Sequence, residues 1–263
     1  MINYSQIQRL ALKKGVSEEI IEKDYFIELV LFYIVRNEYF KRRLIFRGGT
    51  ALKKVYFRDY RFSEDLDFLV QDKGNLAEYE QRLKQLLTKI SSDYPFHLTI
   101  HSETSKDRLQ LYISYDIVPE IKAVKELKID ILRDDFSPSF KRKRILFTYQ
   151  EFKQEKVALN TYILESVVSD KISRILDVTN EPRDIYDLWY LLKLNINVAK
   201  IKEELKRRFG YDIYLPNLLY EINKVAYIKN WQIKLKRQIG NLPDYKKVIK
   251  ELEGLIEKKL KRL

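Results

Sequence analysis

The stretch from Leu44 to Val70, LIFRGGTALKKVYFRDYRFSEDLDFLV, constrains what this chain can fold into more than any other. Leu44-Ile45-Phe46 is a short apolar run of the kind that forms a buried strand, and Gly48-Gly49 ends it. Thr50 to Phe57 then reads as a short helix, with Leu52, Val55 and Tyr56 at helical spacing. After a charged loop the segment closes on Ser63-Glu64-Asp65-Leu66-Asp67-Phe68-Leu69-Val70. A strand has a side-chain period of two. Asp65 and Asp67 therefore share one face, and Leu66 and Phe68 turn to the other.

This order of elements has a chemistry. A glycine turn lets the backbone approach a phosphate closely, and its N–H groups, with those of the helix that follows, can cradle an anion. Two adjacent carboxylates repel each other unless a cation lies between them. Mg²⁺ favours a few carboxylates supplemented by phosphate oxygens. A glycine pair alone is ordinarily a turn, and an Asp-x-Asp alone is often a solvated strand face. One after the other, they describe a triphosphate site. The kinase pattern G-x-G-x-x-G is not met.

The same residues resemble the nucleotidyltransferase signature: an apolar residue, Gly-Gly, a short helix, then Asp-x-Asp. More narrowly, Arg47-Gly48-Gly49-Thr50-Ala51-Leu52 followed by Arg61-Phe62-Ser63-Glu64-Asp65-Leu66-Asp67-Phe68 resembles the AbiEii/AbiGii-type toxins. These are the enzyme half of type IV abortive-infection toxin–antitoxin systems and are related to the MenT toxins. The resemblance covers roughly residues 20–192. It implies Mg²⁺ or Mn²⁺ held by Asp65 and Asp67, and an NTP whose phosphates rest on Gly48, Gly49 and Thr50, with Ser63 adding a hydrogen bond.

The other motifs follow in chain order. Tyr4 to Lys14 reads as a helix. A second, capped by Ser17 with Glu18 and Glu19 in its first turn, runs to about Tyr39. Its Glu22-Lys23-Asp24-Tyr25 also resembles the toxins, which would bring Lys23 near the nucleotide; otherwise it is a charged helix face. Leu76 to Ile90 reads as an amphipathic helix. Phe96 to His101, Leu109 to Tyr115 and Glu126 to Leu132 read as strands, the first two joined as a hairpin through Ser105-Lys106-Asp107. Asp130 lies in the third. By resemblance it is the carboxylate that a neighbouring strand adds to the site, as a third metal ligand or as the group that activates the acceptor hydroxyl. Phe136-Ser137-Pro138-Ser139-Phe140 breaks the pattern. Lys141-Arg142-Lys143-Arg144 then reads as a cationic loop, either solvated or in contact with RNA phosphates or an acidic antitoxin surface.

Beyond Thr161 the chain reads as helical. Leu164 to Leu176 carries Lys171 at the edge of its apolar stripe, and Arg183-Asp184-Ile185-Tyr186-Asp187-Leu188-Trp189 follows. By resemblance Lys171 binds nucleotide phosphates and one of Asp184 and Asp187 assists. Both stay open, since Asp184 next to Pro182 also suits a helix start. Val198 to Phe209 ends at Gly210 as a helix does. Leu215 to Gln238 reads as helical, and a last helix follows Pro243.

Composition narrows the partners. A net charge of +12 favours polyanions or an acidic protein. The absence of Cys removes disulfides and thiolate metal sites. No apolar run reaches a membrane span, and MINYSQIQRL is no signal peptide, so a cytoplasmic location is expected and no membrane partner.

The expected fold is α/β (α+β): a nucleotidyltransferase-like mixed sheet with flanking helices over residues 1–150, then a helical half over 151–263, with the active site in the cleft between them. The expected activity is metal-dependent transfer of NMP from an NTP to an acceptor hydroxyl, by resemblance an RNA or tRNA 3′ end. Transfer to protein, as in AMPylation, or a non-catalytic module that binds nucleic acid or antitoxin, are the other readings.

Overall fold

The computed structural model describes residues 1–71, 75–134, 138–210 and 212–260. Phe136 and Ser137, part of the expected break, lie outside the described residues. The chain divides into two compact units, Met1–Asp135 with Lys141–Thr161, and Phe136–Phe140 with Tyr162–Leu263.

The first unit begins with α1 (Tyr4–Lys14), α2 (Glu18–Arg36) and α3 (Glu38–Arg43). The second helix stops earlier than its apolar pattern suggests. Asn37 ends it, and its side chain accepts the backbone N–H groups of Tyr39 and Phe40, starting α3 instead. Next come β1 (Ile45–Arg47), α4 (Gly48–Ala51) running into a wider π turn over Leu52–Tyr56, β2 (Asp65–Val70), α5 (Leu76–Asp93), β3 (Leu98–Thr104), β4 (Arg108–Tyr115) and β5 (Glu126–Arg133). β6 (Phe140–Arg144) and β7 (Ala158–Tyr162) complete a mixed sheet, ordered β3-β4-β5-β2-β1-β7-β6 among the described residues. β2 runs parallel to β5 and β1 parallel to β7, while β1–β2, β3–β4 and β4–β5 are antiparallel.

Two of these strands correct the reading of the sequence. Lys141–Arg144 is not a loop but most of β6, at the end of the sheet. Charged side chains along an edge strand discourage another strand from pairing there, which explains why it lacks apolar alternation. β7 interrupts the stretch before the helices and is bound to β1 through the register Ile45–Asn160 and Phe46–Thr161.

Alternation on the central strands decides which face is covered. Leu66 and Phe68 of β2, Ile129 and Ile131 of β5, and Leu109, Leu111 and Ile113 of β4 are fully buried on one side. α2 packs on β5, and α5 on β3 and β4. Phe46 stacks on Phe68 with centroids 5.2 Å apart.

α2 buries acidic residues as well as apolar ones. Asp24 and Glu28 lie one helical turn apart among Tyr25, Phe26, Ile27 and Leu29, and Lys54 of the π turn enters between them. Its Nζ lies 2.7 Å from Asp24 and 2.8 Å from Glu28, with only 1% of the lysine exposed. Glu28 also accepts the backbone N–H groups of Thr148 and Tyr149. A buried charge needs this degree of pairing to persist. The network ties α2 to the segment that follows the glycine pair.

The second unit holds α6 (Leu164–Leu176), α7 (Pro182–Leu192), α8 (Val198–Phe209), α9 (Leu215–Ile222), α10 (Val225–Leu235) and α11 (Tyr245–Leu260). α6 packs against α7, α8 and α9, and α7 against α10 and α11. Trp231 is almost fully buried in this core and donates its indole N–H to the Pro243 carbonyl. Asn223 ends α9 and separates it from α10. Among the described residues no helix is long and apolar enough to cross a membrane.

Candidate functional site

Two cross-strand rows define the sheet face opposite α2 and α5. Asp65 of β2 is in register with Lys128 of β5, Lys128 with Tyr112 of β4, and Tyr112 with His101 of β3. In the neighbouring row, Arg47 of β1 meets Asp67, Asp67 meets Asp130, Asp130 meets Gln110, and Gln110 meets Glu103. Residues paired across a sheet point to the same side. Asp65, Asp67 and Asp130 therefore share one polar face, while Leu66, Phe68, Ile129 and Ile131 fill the core behind it.

The glycine turn is fitted to this face. Gly48 has φ +78°, the left-handed region that suits a residue without Cβ. A Cβ there would also collide with the Asp67 carboxylate, so the turn and the carboxylate are in direct contact. At Gly49 a Cβ would come within 2.7 Å of the Arg61 guanidinium and 3.1 Å of Ser63 Oγ. Thr50 donates its hydroxyl to the backbone carbonyl of Asp65, joining the start of the helix to the start of β2. Gly48, Gly49, Thr50, Ser63, Asp65 and Asp67 thus form one contiguous structure. Gly48→Ala is expected to lose about 1–2 kcal/mol from the backbone alone, plus whatever displacement of Asp67 adds. A chemical-denaturation midpoint equal to that of the native protein would contradict this account.

Asp130 is placed beside Asp67 and is already engaged. Arg108 grips both its oxygens, through Nε to Oδ1 at 3.0 Å and Nη2 to Oδ2 at 2.5 Å, and Lys128 lies 3.6 Å away. Burial presses the Asp130 carboxyl upward, but the Arg108 hydrogen bonds and charge, with Lys128 and Arg47, hold it below its ordinary value. Arg108 escaped the sequence reading. The only signal for it is the alternation of β4, which puts residue 108 on the same face as 110 and 112.

Other cations surround the site. Lys23 of α2 lies 3.9 Å from Glu64, the residue before Asp65. Lys53 is buried in the π turn, where it donates to the Tyr60 carbonyl and lies over the Phe62 ring. Burial brings its ammonium down to about 8.

The remaining expected residues lie together in the second unit. Lys171 Nζ is 2.7 Å from Asp184 Oδ1 and 2.7 Å from Asp187 Oδ2, and Arg174 Nε is 2.8 Å from Asp184 Oδ2. Both carboxylates are fully buried. Burial acts to raise Asp184, but the adjacent Lys171 and Arg174 leave it below its usual range. The sequence left Asp184 and Asp187 as alternatives; in the structure both hold Lys171.

Among the described residues no group of three His, Cys, Asp or Glu side chains is arranged to hold a metal ion. The donor set nevertheless fits a hard divalent cation. Asp65 and Asp67 supply oxygens from one face of one strand, and a hard cation of this kind completes its shell with phosphate oxygens and water. Asp130, beside Asp67, could add an oxygen as well, since a carboxylate gripped by Arg108 keeps a further lone pair on each oxygen.

Comparison with known proteins follows the same lines. The family described as nucleotidyl transferase AbiEii toxin, type IV TA system, matches residues 30–257. No curated protein matches the chain in sequence. Among solved structures, MenT4, a nucleotidyltransferase toxin from Mycobacterium tuberculosis, superposes with a TM-score of 0.67 at 15% identity, covering 97% of this chain and 88% of that one. JHP933 from Helicobacter pylori gives 0.62 at 20% identity, covering 94% and 95%. At such identities the likeness speaks for the fold.

Proposed function

Because the chain belongs to the AbiEii nucleotidyl transferase toxin family of type IV toxin–antitoxin systems, we propose that it moves a nucleoside monophosphate from an NTP to a hydroxyl at the end of an RNA. The observation that carries this reading is the contact between the Gly48 turn and the Asp67 carboxylate, on the face shared with Asp65 and Asp130. A phosphate seated on that turn would lie beside the carboxylates.

In this proposal the backbone of Gly48, Gly49 and Thr50 seats the β and γ phosphates, since the first N–H groups of a helix have no acceptor within it. Ser63, beside Gly49, adds a hydroxyl. Asp65 and Asp67 would hold Mg²⁺ or Mn²⁺, which would offset the charge on the phosphates. The acceptor oxygen attacks the α phosphorus, the bond from that phosphorus to the bridging oxygen breaks, and pyrophosphate leaves. The hydroxyl proton passes to Asp130. The family resemblance gives Lys171 to the nucleotide phosphates. Asp184 and Asp187 would be the positioning residues that hold its ammonium. As in other systems of this type, an antitoxin is the proposed protein partner.

Arg108 sets the pH range over which Asp130 can act as a base. With Arg108 in place, Asp130 stays ionised to a pH below the ordinary carboxylate value. In Arg108→Ala, Lys128 and Arg47 still oppose burial but the largest lowering influence is gone, and the carboxyl rises. The acid limb of the kcat/KM profile is expected to move to higher pH in that variant, and an unmoved limb would remove Asp130 from proton transfer.

RNA is distinguished from protein by the labelled product. Pure protein, Mg²⁺, total RNA and each α-labelled NTP in turn are expected to give label in a nuclease-sensitive band. Label in a protease-sensitive band would replace the RNA reading with transfer to protein.

A further inference from the structure

We propose that the open face of β5, β4 and β3 is the platform on which the single-stranded end of the acceptor RNA lies, with a base stacked on Tyr112. This rests on the nucleotidyl-transfer reading and names where that reaction's second substrate binds.

The row Asp65–Lys128–Tyr112–His101 runs straight from the carboxylate pair across three adjacent strands. Strands lie about 4.8 Å apart, so Tyr112 stands roughly 10 Å from Asp65 along the row and His101 roughly 14 Å. The Tyr112 and His101 rings are near parallel, 28° between planes and 6.1 Å between centroids. The His101 side chain is 71% exposed, and Tyr112 is half-buried on the strand that carries Arg108. A buried aromatic on a strand is ordinary core. A pair of rings on the open side of a sheet, next to a row of catalytic carboxylates, has no core to serve.

The charges suit the same occupant. Lys128 lies between the carboxylates and Tyr112, and Arg108, 47% exposed at its side chain, projects from the same face. Glu103, 3.6 Å from His101, is the acidic group at the far end. Cations nearest the site and aromatics beyond them form the arrangement that binds single-stranded nucleic acid, with phosphates on the former and bases on the latter. A duplex would bury its base faces and leave the rings unused.

The test measures acceptor binding and transfer separately. Fluorescence anisotropy with a labelled single-stranded RNA reports Kd, and steady-state transfer reports KM for that RNA and for the NTP. Tyr112→Ala and the exposed His101→Ala are each expected to raise Kd and RNA KM, roughly tenfold for Tyr112 by the usual contribution of one stacked base. NTP KM should hold, and Tyr112→Phe should restore RNA binding. Native protein that transfers to RNA while both alanine variants keep RNA Kd and KM within twofold overturns the platform alone. Native protein that binds the RNA through Tyr112 but transfers nothing to it overturns the reaction and leaves the platform standing. Transfer to a protein hydroxyl that is indifferent to Tyr112 and His101 overturns both.

Discussion

Asp65→Ala is expected to lower the rate of transfer by on the order of 10³-fold, the scale seen when a group that stabilises transition-state charge is removed, and to leave the fold intact. Two features of Asp65 separate the effects. Its side chain lies on the open face, in register with Lys128, away from Leu66 and Phe68 in the core. Its backbone carbonyl accepts the Thr50 hydroxyl, and alanine retains that bond. The protein should therefore remain folded while the rate collapses. Full activity in a folded Asp65→Ala protein would remove the carboxylate pair from the chemistry.

The largest expected effect on stability lies at Lys171. Replacing it with Met fills similar space but withdraws the ammonium from two fully buried carboxylates, leaving Arg174 as the cation beside Asp184. Breaking a buried ionic cluster from one side costs about 3–5 kcal/mol, because the remaining charge stays desolvated. In a protein of this size that corresponds to a fall in Tm on the order of 10 °C. The double variant Lys171→Met, Asp187→Asn should recover part of the loss, since it withdraws one of the two charges Lys171 neutralised. A Lys171→Met protein that melts with the native one would mean that the cluster contributes nothing to the fold.

Much of the candidate site's geometry could be read from the sequence because its signals are local. The Gly48-Gly49 pair, the apolar partners Leu66 and Phe68, and the spacing of Asp65 and Asp67 all belong to one short segment whose strand period fixes which side chains share a face. The helices α1, α5, α6 and α8 were legible for the same reason, each carrying its own apolar stripe or cap. What stayed hidden depends on partners distant in sequence. β6 is a strand only because β7 is beside it; FKRKR has no alternation of its own. β7 is five residues long and takes its place from pairing with β1. Arg108 reads as a surface residue until β4 and β5 are aligned and Asp130 comes within its reach. Lys54 looks like any charged helix residue, although a trace of its burial was present: Asp24 and Glu28, one turn apart on an otherwise apolar face, require a cation from elsewhere.

The central claim is that the bond broken lies between the α and β phosphates. One reaction, run with Mg²⁺ and RNA and with the NTP labelled at either the α or the γ phosphate, tests it directly. The account predicts α label in the RNA, γ label recovered only as pyrophosphate, and one pyrophosphate released for each nucleotide joined. Label from the γ position in RNA or protein would show phosphoryl transfer instead, and would contradict the proposed roles of Asp65, Asp67 and the Gly48 turn.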